Sequence, residues 1–94
     1  MNNHIQFSVP VSILREGKQF VAYSPALDLS TAAKSYQQAV DRFHEAAELF
    51  FEEIVKKNTW EEVLQELGWE RVRTKWMPPM VVAHETQAVR MQVR

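Results

Sequence analysis

The chain has 94 residues, 46% of them apolar, with no cysteine and a net charge of -1. This bounds it to one domain with one modest core and excludes a disulfide framework, a thiolate nucleophile and a cysteine zinc site. No apolar run approaches the ~20 residues of a membrane-crossing helix, and the opening stretch MNNHIQF lacks the basic and apolar regions of a signal peptide, so a soluble, cytoplasmic protein is expected.

Charge is divided unevenly. Residues 35–67 carry eight acids against three bases, residues 70–94 carry five bases against two acids, and residues 1–34 supply the remaining +1. An acidic centre of this kind is either a solvated helix face or an attraction for a basic partner, and it disfavours nonspecific nucleic-acid binding.

In chain order, Ile5, Phe7, Val9, Val11 and Ile13 alternate with Gln6, Ser8, Pro10, Ser12 and Leu14. That is the two-residue period of a strand with one buried face. Pro10 cannot donate to a ladder, so it should sit at an edge or bulge. Arg15, Glu16, Gly17 and Lys18 should turn the chain into a second strand over residues 19–24, which Pro25 stops, and a weaker third strand should occupy residues 29–34. An antiparallel meander is the expected result.

Ser35 and Gln38 have the spacing of a capping box and should open a helix. Along it, Tyr36, Val40, Phe43, Ala47, Phe50 and Ile54 recur at three- and four-residue steps, and Asp41, Glu45, Glu48 and Glu52 follow the same steps on another face. Leu49 and Phe51 widen the apolar stripe, either as core or as a surface for a partner. Asn58 should end this helix. Thr59 and Glu62 repeat the capping spacing for a short second helix with Val63, Leu64 and Leu67 inside and Gly68 at its end. These two helices are too acidic to read DNA, since the second runs Glu61, Glu62, Gln65, Glu66.

After Trp69 the composition changes. Residues 1–69 should therefore form an α+β core and residues 70–94 a C-terminal arm, with Pro78 and Pro79 as a stiff connector. Val89, Met91 and Val93 alternate with Arg90, Gln92 and Arg94, which predicts a terminal strand. Its apolar side needs a paired edge, either in this chain's own sheet or in a neighbouring subunit's; the second choice makes Val89, Met91 and Val93 an oligomer interface.

Chemistry is sparse. His4, His44 and His84 stand far apart and begin no metal-ligand spacing such as HExxH, and no GxSxG, GxGxxG or GxxxxGK[ST] occurs. Glu16 and Asp28 fall on expected turns, where local backbone bonding accounts for them. Tyr23, Trp69 and Trp76, with Arg71 and Arg73, could stack on bases, but packing is the simpler account. No cofactor, no metal and no catalytic residue is expected, and the chain reads as a binding protein and not an enzyme.

The stretch Phe20-Val21-Ala22-Tyr23-Ser24-Pro25-Ala26-Leu27 is similar to the "YVAYCPDLPG" type of motif of the HicB-like antitoxins, and the likeness extends through residues 35–50, where that family has a capped helix rich in Ala and Glu. It covers about half of the chain. Asp28 and Lys34 stand where glycines are usual in the family. The resemblance implies a truncated ribonuclease H-like fold, with a strand–strand–strand–helix–strand core that binds and masks a small ribonuclease toxin and has no nuclease activity of its own. In agreement, the first expected strand has no carboxylate between Ile5 and Leu14 with which to hold metal.

Family toxins are basic, so Glu45, Glu48 and Glu52 become the candidate toxin-binding row. Many family members add a DNA-binding domain after the core. Here residues 88–94 resemble only the strand of a ribbon-helix-helix, so no direct DNA binding is expected. The alternative is an orphan oligomeric scaffold or a small-molecule-binding subunit without a toxin partner.

Overall fold

The computed structural model describes residues 5–94. It is α+β, with strands β1 (Ser12–Glu16), β2 (Gln19–Ser24) and β3 (Leu29–Ala33), helices α1 (Tyr36–Lys56) and α2 (Trp60–Glu66), and a second hairpin of β4 (Glu70–Val72) and β5 (Lys75–Met77). The first three strands form an antiparallel meander in the order β1-β2-β3, and β4 pairs with β5 in a separate sheet. His4 lies outside the described residues.

The first hairpin pairs Glu16 with Gln19, which leaves Gly17 and Lys18 as a two-residue turn. Gly17 has φ +60, the left-handed conformation that a tight hairpin turn assigns to glycine. Arg15 and Glu16, expected in the turn, belong to β1. The strand itself also departs from expectation: β1 starts at Ser12, and residues 5–11 form no strand. Register explains this. Ser12 pairs with Tyr23 near the end of β2, so the residues before it run past Pro25 with no ladder partner, and Pro10 has no N–H to offer one.

Asp28 connects β2 to β3 with φ +48. This is a conformation in which glycine is at ease and Asp is among the residues that tolerate it, and the Tyr23 hydroxyl donates to its Oδ1 at 3.4 Å.

Ser35 caps α1 as its spacing predicts, with extended backbone and Oγ accepting from the Gln38 N–H at 3.2 Å. Thr59 does not repeat the device. Its N–H is already committed to the Ile54 carbonyl at 2.9 Å, and Asn58, at φ +56, donates to the Val55 carbonyl. These two bonds close α1 in a Schellman motif, which leaves the Thr59 hydroxyl directed back at Ile54 and not into α2. The same pair of bonds closes α2, through Gly68 at φ +91 to Gln65 and through Trp69 to Leu64.

The core between sheet and helix is built on small side chains: Ala22, Ala26 and Ala33 from the sheet side meet Ala39, Phe43, Ala47 and Ile54 of α1. Alanines let helix and sheet approach closely, and two polar ties fix the approach, from Thr31 Oγ1 to the Ala39 carbonyl and from Arg42 Nη1 to the Ala32 carbonyl at 2.7 Å. Leu27, Leu64, Trp69 and Trp76 complete the core. The buried Trp69 indole donates to the Ala26 carbonyl at 2.7 Å, and Trp76 meets Trp60 edge to face, so the second hairpin is pinned to the body.

Beyond Met77 no regular structure follows. The terminal strand expected over residues 88–94 is not formed: a strand exists only by its ladder, and those residues meet no partner edge within the chain. No helix is long and apolar enough to cross a membrane among the described residues.

Candidate functional site

Two surface features carry the binding potential of this fold. The first is a groove of about 860 Å³ between residues 5–13 and one side of α1. Its origin is the truncated pairing of β1. Only Ser12–Glu16 find a partner strand, so of the odd-numbered residues before them Phe7 and Val9 pack against the core while Ile5 and Val11 stay exposed, and the gap to α1 is left partly open. Val9, Val11 and Ile13 form one wall, Val40, Phe51 and Val55 of α1 the other, and Phe43, Ala47, Ile54 and Leu64 the floor.

Phe7 shuts one end by stacking on Phe51 at 5.4 Å and meeting Trp69 edge to face at 5.0 Å. His44 and Glu48 supply a polar lip, where His44 Nε2 stands 3.4 Å from Glu48 Oε1. The α1 stripe read from the sequence is therefore divided. Phe43, Ala47 and Ile54 are buried as expected; Tyr36 is exposed, Val40 and Phe50 are half-buried, and Ala39 takes a core place outside that stripe. A three-stranded sheet is too narrow to cover the whole apolar face of a 21-residue helix. Of the two residues that widen the stripe, Phe51 packs under Phe7 and Leu49 is 64% exposed.

The second feature is the acidic row. Glu45, Glu48 and Glu52 are all exposed on α1 at steps of three and four residues. Glu48 also belongs to the groove lip, whereas Glu45 and Glu52 do not line the groove. Glu53, on the far side, pairs with Lys57 at 3.1 Å, and neither Glu45 nor Glu52 has an ion-pair partner among the described residues.

The third set of residues singled out by sequence, Val89, Met91 and Val93, is 85, 80 and 74% exposed. The structure does not bring them to the acidic row or into their own groove. Trp69 and Trp76 are buried, so their role is packing and base stacking is closed to them. Among the described residues no three His, Asp or Glu side chains converge to hold a metal ion.

The groove was missed by sequence reasoning. A signal was present: five alternating apolar residues precede a hairpin whose second strand, cut by Pro25, is too short to pair them all. Comparison of the chain with protein-family models, curated proteins and solved structures yields no match.

Proposed function

We infer that this chain is a HicB-like, antitoxin-like protein-binding module of the cytoplasm that binds and masks a small basic ribonuclease toxin, performs no catalysis of its own, and associates with itself through its C-terminal arm, with Val89, Met91 and Val93 as the interface. The observation that carries this reading is the row Glu45, Glu48 and Glu52, exposed along a helix that follows a meander bearing the family-like stretch of residues 20–27. A basic ribonuclease approaching that row is steered by charge, and the main effect falls on its association rate and on its choice of partner.

The test begins with a short basic reading frame beside this gene. Expressed alone it should arrest growth, and co-expression with this chain should restore it. Replacing Glu45, Glu48 and Glu52 together by Lys should slow capture of that toxin about tenfold or more at low salt. Equal rates would discard the acidic row as the docking face.

A second reading rests on the groove. Its volume of about 860 Å³ falls in the range of small-molecule sites, roughly 300–1,000 Å³, and its walls are mostly apolar. A small-molecule-binding subunit or orphan scaffold without a toxin partner would use it for an apolar guest. Native mass spectrometry of the purified chain, showing a mass above that of the polypeptide, would favour that reading.

A further inference from the structure

Residues 78–94 leave the body as an extended arm. The molecule measures 60 × 28 × 23 Å with a radius of gyration of 16.3 Å, against about 12 Å for a compact chain of this length. The arm's root is fixed: Met77, Pro78, Pro79, Met80 and Val81 face Ser8 and Pro10. Beyond Val81 every residue is exposed, Val82 by 94%.

We propose that this arm docks in the groove between residues 5–13 and α1 of a second copy of the chain, while the second copy's arm docks reciprocally in the first. The proposal rests on the self-association reading above and supplies its receptor. Three observations carry it. The arm presents Val89, Met91 and Val93 on alternate positions, so an extended backbone puts all three on one side, and the groove offers an apolar trough for that side.

Charge is the second. Arg90 and Arg94 alternate with those apolar residues, while α1 carries five acids against two bases, and Glu48 stands on the groove lip. An arm seated by its apolar side keeps Arg90 and Arg94 on the outer, solvent side, where the field of that acidic helix steers the arm to the groove. Direction is the third: Pro78 and Pro79 stiffen the exit, and the exposed residues beyond Val81 make no reversal into the chain's own groove. Exchange between copies satisfies the arm without that reversal.

The experiment pairs two variants, each altered only at exposed positions so that the fold is preserved, with circular dichroism as the check. One has Val89→Ser, Met91→Ser and Val93→Ser in the arm; the other has Glu48→Arg and Val55→Arg on the groove wall. Light scattering of the wild-type chain should give twice the 11.0 kDa chain mass. Each variant alone should dissociate, with its association weakened about tenfold or more.

Mixed, the two should associate again, because the intact arm of the groove variant fits the intact groove of the arm variant. A groove variant that dimerises alone as well as the wild type would overturn the groove as receptor and point to arm pairing with arm, and a failure of the two variants to associate on mixing would overturn the groove as well; both leave self-association and toxin binding standing. A wild type that is monomeric at every concentration would overturn exchange altogether; extra mass in its native spectrum would then identify a small apolar guest as the occupant. Either result is separable from the growth assay, which reads the toxin alone.

Discussion

The body, over residues 5–77, and the arm, over residues 78–94, differ less in composition than in what they can reach. Eight of the arm's seventeen residues are apolar, nearly the same share as the 46% of the whole chain. In the body those side chains meet across two layers, and Ala22, Ala26 and Ala39 are completely buried. In the arm only the root, residues 78–81, faces the body, and beyond Val81 every residue is exposed, because an extended segment has no second layer of its own. Apolar content is thus common to both regions; burial depends on a partner surface, which the body contains and the arm does not.

That contrast can be attacked from the body side first, where the largest effects lie. Phe43 is buried between sheet and helix, so Phe43→Ala should cost about 3–5 kcal/mol in a denaturant melt. A cost within the noise would mean that the layer is far looser than described. Trp69→Phe keeps most of the aromatic packing but deletes the donor to the Ala26 carbonyl, leaving a buried acceptor unpaired. A loss of about 1–3 kcal/mol is expected, and the second hairpin should show it first by faster hydrogen exchange at residues 70–77.

Smaller effects sharpen the comparison at the junctions. Ser35→Ala removes the α1 cap and should lower stability by about 1 kcal/mol, whereas Thr59→Ala, which removes no cap, should cost less. Asp28→Gly relieves a left-handed backbone and should raise stability by up to about 1 kcal/mol, less whatever the bond from Tyr23 contributes. A clear loss would show that this bond outweighs the backbone strain.

Much of the body could be read from the sequence because local signals and tertiary packing agree there. Residues 19–24 appear as β2 with the expected limits, and the Ser35 cap sits where its spacing placed it. The failures share a cause. Periodicity reports which side chains want one face, but it does not report whether a ladder partner exists. Residues 5–11 and 88–94 both have the alternation of strands and neither is one, since Pro25 cuts the partner of the first and the second does not reach an edge of the sheet.

The second hairpin was hidden for the opposite reason. Its turn holds Arg73 at φ +59 and no Gly, Asn or Asp, so nothing in the local chemistry announces it. Of the candidate sites, the acidic row was legible from its three- and four-residue steps. The groove was not, because it arises from strand register and from the narrowness of the sheet.

The most direct test of the account is hydrogen exchange along residues 78–94 and along α1, measured at low and at high protein concentration. If the arm finds its missing surface on another copy, the amides of residues 88–94 exchange freely when dilute and become protected when concentrated, and the groove side of α1 gains protection over the same range. Arm amides that exchange at the rate of an unstructured peptide at every concentration would contradict it.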